Sequence, residues 1–290
     1  MANEQTVDDV LAGHRADGER FTADGVGSFV LRKGDGAPVV LIHGLPASSF
    51  LYRKVVAELA TRGLQAIAFD LPGLGLADRP VDFDYSVKGL AAFAAAAADA
   101  LAIDRFHLVV HDYGGPVGFE LASSAPDRIR SLTILNTLLE PSGPPFPGEL
   151  LAHVVDRAGG PLASPTVWRR LMYRVGIADR TACSPAELDA YRRLALDPDD
   201  GRGYLAIMRR LRDGHDADRY GAVVDTRRVP YPIQVVWGGL DPMLSLRRAG
   251  WRVLAATHLP SMHLLPAKHY LPEDQAPYLA QLIARQATGG

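Results

Sequence analysis

Short apolar runs recur along the chain between longer segments of helical character: Val39-Val-Leu-Ile42, Ala66-Ile-Ala-Phe69, His107-Leu-Val-Val110, Ser131-Leu-Thr-Ile-Leu135, Ile233-Gln-Val-Val-Trp237 and Met262-His-Leu-Leu265. Strands this uniformly apolar are covered on both faces, and their alternation with helices predicts an α/β architecture around a mostly parallel sheet. Ahead of them, Phe21 to Arg32 reads as an antiparallel hairpin turning at Asp24-Gly25, one edge of that sheet. The longest apolar stretch, Leu90 to Ile103, is mostly alanine and is broken by Asp99. It is shorter than the run of about 18 residues that suggests a membrane span, so it reads as a buried helix of the fold.

The alternation fails between about Thr137 and Thr226. This stretch opens with Pro141-Ser-Gly-Pro-Pro-Phe-Pro147 and continues with helical patterns rich in Arg, Leu and Tyr. It reads as a helical cap, residues 138–226, inserted after the sixth strand of a core formed by 1–137 and 227–290. An insertion there lies over the strand ends where ligands bind in open α/β sheets. Within it, Ser184 can cap a helix whose first position is Pro185, with Glu187 completing a capping box.

Composition narrows the function classes. At 48% hydrophobic and 22% charged residues, the chain is an ordinary globular protein with ample core. A net charge of −2 gives no field for nucleic acid or an anionic membrane, so the expected partner is a small organic molecule. Cys183 is the only cysteine, which excludes an intrachain disulfide and a cysteine metal cluster. The N-terminus lacks a basic stretch followed by an apolar core, so a cytoplasmic location is the expectation. A homo-oligomer is compatible with all of this.

The candidate chemistry begins at His111-Asp112-Tyr113-Gly114-Gly115, directly after an apolar strand. A sharp strand-to-helix turn holds its apex side chain above the sheet, and small residues after it let the helix pack close. Asp112 is that apex, although Val110 occupies the place two residues earlier where a small residue is usual. His43-Gly44-Leu45-Pro46 follows the first parallel strand and can aim the Leu45 N–H above Asp112, making an oxyanion hole with the Tyr113 N–H. Asp241 follows the next-to-last strand and His269 the last. Asp70 reads as a turn-fixing acid, and the Arg-rich stretches Trp168-Arg-Arg170 and Met208-Arg-Arg-Leu-Arg212 as solvated faces or carboxylate partners.

With these motifs the chain resembles the α/β-hydrolase superfamily, in the branch of haloalkane dehalogenases and epoxide hydrolases. The resemblance rests on the His-Gly-x-Pro loop at 43–46, the Asp-Leu-Pro-Gly-Leu-Gly turn at 70–75 and the His-Asp-aromatic-Gly-Gly elbow at 111–115, and runs from about residue 20 to residue 285. It implies a triad of nucleophile Asp112, acid Asp241 and histidine His269, with oxyanion donors from the backbones of Leu45 and Tyr113. An ionised carboxylate can displace a leaving group from saturated carbon, giving an alkyl ester of Asp112 that water activated by His269 then hydrolyses. No metal or organic cofactor enters this scheme.

The substrate class is read from fewer residues. Dehalogenases of this branch hold the departing halide with a Trp after the nucleophile and an Asn or Trp elsewhere, whereas this chain has Tyr113 and Leu45 at the matching places. The Tyr113 hydroxyl and the Trp168 indole are the candidate substitutes. Epoxide hydrolases use cap tyrosines to protonate the opening oxygen, and Tyr173, Tyr191, Tyr204 and Tyr220 lie in the expected cap, while Met208-Arg209 replaces the usual Tyr-Arg. The candidates for substrate contact are thus His43, Tyr113, Trp168, Tyr173, Tyr191 and Tyr204, and the balance tilts slightly to epoxide opening. Carbon–halogen hydrolysis, an ester or lactone hydrolase, and a non-hydrolytic descendant of the fold are the alternatives.

Overall fold

The computed structural model describes residues 5–139, 164–211 and 216–289. Eight strands form one sheet in the order β1-β2-β4-β3-β5-β6-β7-β8. They are β1 (Glu19–Ala23), β2 (Val26–Lys33), β3 (Ala37–Ile42), β4 (Leu64–Phe69), β5 (Phe106–Asp112), β6 (Ile129–Thr137), β7 (Ile233–Gly238) and β8 (His263–Leu265). β2 pairs antiparallel with both β1 and β4, and every other pairing is parallel. Each apolar run of the sequence falls on a strand, and the hairpin turns where expected, with Asp24 and Gly25 both at positive φ.

Helices cover both faces of the sheet. The alanine-rich segment is helix Val87–Ala100, capped by the Ser86 side chain, and its small residues Ala91, Ala94, Ala97 and Ala98 are buried beside Leu90 and Phe93. It ends earlier than the pattern suggested, with Ala102 at φ 56°. The pattern gave no hint of helix Val7–Ala16, whose buried face is only Val10, Leu11 and His14. That face is too short for a periodicity to stand out, and the helix is marked instead by a capping box of Thr6 and Asp9. An ion pair of 2.5 Å from its Asp8 to Arg193 ties it to the helical insert.

After β6 the described residues of the insert form helices Pro165–Val175, Pro185–Leu196, Arg202–Arg209 and Ala217–Val224. Ser184 and Glu187 make the expected reciprocal cap. The proline-rich opening, Pro141 to Pro147, lies outside the described residues. The insert seats closely on the 70–75 turn: a Cβ at Gly203 would come 2.5 Å from the Gly73 carbonyl oxygen, so glycine is required at this crossing. Asp70 holds that turn by accepting from the N–H groups of Ser49 and Leu76, each at 2.6 Å. Among the described residues no helix is long and apolar enough to cross a membrane.

Candidate active site

β5 is the sheet's central strand, buried from Phe106 to His111 and opening only at Asp112. There the chain turns directly into helix Gly114–Ser124, and Asp112 takes φ +51°, a left-handed conformation that is costly for a residue with a side chain. Small residues make the turn feasible. A Cβ on Gly114 would approach the Ile42 carbonyl oxygen to 2.4 Å, and one on Gly44 would approach the Asp112 Cβ to 2.4 Å. The helix N-terminus behind Asp112 favours negative charge there.

The Asp112 carboxylate accepts from the Leu45 N–H at 2.8 Å through Oδ1 and faces His269 Nε2 at 3.3 Å through Oδ2. His269 Nδ1 lies 2.8 Å from Asp241 Oδ2. Asp241 is fixed in turn by the N–H groups of Met243 and Leu244 and by Asn136 Nδ2, while Asn136 Oδ1 accepts from the Gly238 N–H. The fold therefore brings Asp112, His269 and Asp241 into one line, with the Leu45 N–H on the other Asp112 oxygen. The Tyr113 N–H borders the same space, since a Cβ on Gly44 would come 2.7 Å from the Tyr113 nitrogen.

The electrostatics follow from this packing. Burial disfavours a charged His269, but the carboxylates of Asp241 and Asp112 outweigh it and lift its pKa to about 10. Burial likewise works against both carboxylates, yet the facing imidazolium and the hydrogen bonds hold Asp112 and Asp241 below the usual carboxylate range. The resting arrangement is an ionised Asp112 beside a positive His269. His111 is pushed down to about 4 by burial and by that positive neighbour. Its Nε2 lies 2.8 Å from the His269 carbonyl, and it packs on the His269 ring at 4.8 Å.

Four of the candidate substrate contacts are hydrogen-bonded within the protein. His43 is fully buried, with Nε2 accepting from the Leu71 N–H at 3.0 Å and Nδ1 facing the Gly44 carbonyl at 3.0 Å, so it braces the loop and has no donor to offer. The Trp168 indole donates to the Leu188 carbonyl at 2.7 Å inside the insert. The Tyr173 hydroxyl donates to the Cys183 carbonyl at 3.0 Å, and that of Tyr191 donates to Glu273. Tyr113 and Tyr204 are buried in one apolar cluster with Leu45. Burial, and after it the charge of Asp112, raises the Tyr204 phenol.

The sequence reading missed what holds the histidine loop. Glu273 is ion-paired with Arg53 and, at 2.7 Å, with Lys54, and Arg53 also pairs with Glu187 of the insert. Asp274 accepts from the N–H groups of Ala178 and Asp179 in the insert and of Lys268 in the loop. The His269 and Tyr270 N–H groups donate to the carbonyls of Val175 and Gly176 at 3.3 and 2.8 Å. These acids were visible in Lys268-His-Tyr-Leu-Pro-Glu-Asp274, but nothing local reveals that their partners come from the insert. Among the described residues no group of three or more His, Cys, Asp or Glu could hold a metal ion.

Comparison with known proteins gives a consistent picture. Residues 37–173 match the family described as alpha/beta hydrolase fold. A haloalkane dehalogenase of Psychrobacter cryohalolentis is 36% identical over 270 residues, covering 87% of this chain and 83% of that protein. A cis-3-alkyl-4-alkyloxetan-2-one decarboxylase of Shewanella oneidensis is 42% identical over 110 residues, 37% of this chain and only 34% of that protein. The crystal structure of the epoxide hydrolase VrEH1 from Vigna radiata superposes with a TM-score of 0.75 at 22% identity, covering 95% of this chain and 99% of that one, a likeness of fold alone. The tilt to epoxide opening is thereby revised: dehalogenase relatives align over most of the chain, whereas the likeness to the epoxide hydrolase is one of fold.

Proposed function

We infer that this chain, which belongs to the α/β-hydrolase superfamily in the branch of the haloalkane dehalogenases and epoxide hydrolases, hydrolyses a small organic substrate at saturated carbon through an ester on Asp112, with carbon–halogen cleavage as its reaction. The observation that carries this reading is the line Asp112, His269, Asp241, with a carboxylate at the elbow. In this reading residues 138–226 are the cap domain, of which the described helices run from Pro165 to Val224.

In the first step an Asp112 oxygen forms a bond to carbon and the halide departs with the electron pair. Ester formation then removes the negative charge that helps keep His269 protonated. The imidazolium can then release its proton to solvent, the acid equivalent that accompanies the halide, and becomes the base that takes one from water, so the charge change in step one prepares step two. Water attacks the ester carbonyl, the Leu45 and Tyr113 N–H groups stabilise the oxyanion, and Asp241 supports the returning positive charge on His269.

A second reading, opening of a strained cyclic C–O bond, has its own support. The indoles of Trp168 and Trp237 are bonded to the Leu188 and Leu244 carbonyls, and Trp251 is 55% exposed. No tryptophan is therefore left to hold a halide, whereas phenols lie near the nucleophile. The test is a trap. His269→Gln should consume one equivalent of 1-bromobutane or 1,2-epoxyhexane and accumulate the ester on Asp112, read by intact-protein mass spectrometry and located by peptide mapping. Faster labelling by the bromide supports the first reading, and faster labelling by the epoxide the second. If the wild type turns a substrate over and the variant carries no adduct, the ester mechanism is wrong.

A further inference from the structure

The residue after His269 has no assigned part in this chemistry, yet its surroundings give it one. Tyr270 is 2% exposed, and its ring packs on His269 at 5.7 Å, on His111 at 6.1 Å and on Tyr191 at 5.1 Å between ring centres. Its N–H is bound to the Gly176 carbonyl, which fixes the backbone, and the ring contacts on several sides fix the plane. The hydroxyl of this held ring is buried and has no hydrogen-bond partner among the described residues. A phenol of the same size beside it, Tyr191, is satisfied by Glu273. An unpaired buried hydroxyl costs stability, and such groups recur where a ligand supplies the missing partner.

We propose that the Tyr270 hydroxyl, on the ring packed against His269, is a substrate-binding donor, and that it selects substrates bearing an oxygen acceptor near the reacting carbon. The Asp112 side chain is 17% exposed, so open space does reach the nucleophile. Beyond burial itself, the strongest influence on the Tyr270 phenol is the charge of Asp112, ahead of Tyr204, Glu273 and Cys183, and it keeps the proton on the phenol as a donor. A site built around such a donor accepts an ether, alcohol or carbonyl oxygen and discriminates against an alkyl isostere, because the isostere leaves the hydroxyl unpaired. The assignment rests on the Asp112 reading only for what happens after binding.

The test separates binding from chemistry. 1-Bromobutane and 2-bromoethyl methyl ether differ by a methylene replaced by oxygen, and calorimetric titration into Asp112→Asn compares their affinities without turnover. The ratio of ether to alkane affinity should fall about 5-fold or more on going to the Asp112→Asn/Tyr270→Phe double variant, the change expected from one neutral hydroxyl left unpaired. Phenylalanine keeps the ring contacts, and thermal unfolding of the two variants checks that the pocket is intact. A ratio that changes by less than about 2-fold overturns the proposal, as does a failure of both compounds to bind. Failure of the ester reading looks different: the wild type would release no bromide from either compound while the affinity ratio still responded to Tyr270.

Discussion

In the proposed mechanism the order of the two chemical steps depends on the raised pKa of His269, and Asp112→Asn tests it directly. The substitution removes one negative charge 3.3 Å from His269 Nε2 and keeps the shape of the side chain. At an effective dielectric of about 20, two unit charges at this separation attract by roughly 5 kcal/mol. Part of that is recovered by the amide dipole and by water entering beside a side chain that is 17% exposed. The remainder should lie in the range of about 1–3 pKa units expected for loss of a neighbouring opposite charge. His269 should therefore fall from about 10 towards 7–9, with Asp241 still supporting it. Nitrogen-15 NMR of labelled imidazole, titrated in the wild type and the variant, reads the value at each ring nitrogen. A shift below about half a unit would refute the argument that alkylation of Asp112 converts His269 from resting acid to base.

Other expectations follow from single contacts. Gly44→Ala would place a Cβ 2.4 Å from that of Asp112 and 2.7 Å from the Tyr113 nitrogen, so turnover should fall at least about 100-fold, with kcat more affected than thermal stability. Retention of near-native kcat would mean that the 43–46 loop does not set the oxyanion site. Arg53→Met leaves buried Glu273 with Lys54 and Tyr191 alone, and a loss of about 3 kcal/mol or more in urea unfolding is expected, whereas a change below about 1 kcal/mol would count against the network. His14 is buried with neither ring nitrogen bonded, and burial pushes its pKa to about 4. Its folded value lies below the unfolded one of 6.5, so stability should decline as pH falls from about 6.5 to about 4. His14→Leu should flatten part of that decline in a series of melting temperatures, and an unchanged slope would contradict the assignment.

The sequence by itself determined the architecture, because the information was local and repeated. Six apolar runs and one Asp-Gly turn mark six strands and a hairpin without any knowledge of what packs on them. It also marked the proposed site, since Asp112 ends its strand and Asp241 and His269 lie in the loops after theirs, and strand ends on one edge of a parallel sheet converge. What each polar side chain does there was decided only by tertiary structure. Tyr191 and Tyr270 are tyrosines alike in the sequence and both buried in the fold, but one hydroxyl meets Glu273 and the other has no hydrogen-bond partner among the described residues. His43 stands in the expected loop, and the long-range Leu71 N–H decides that it braces the backbone. A hydrogen bond across 28 positions, or an ion pair across 220 as between Arg53 and Glu273, leaves no periodic trace along the chain. Partners of that kind exist only once the sheet has closed and the insert has folded over it, and they determine which side chains remain available to a substrate.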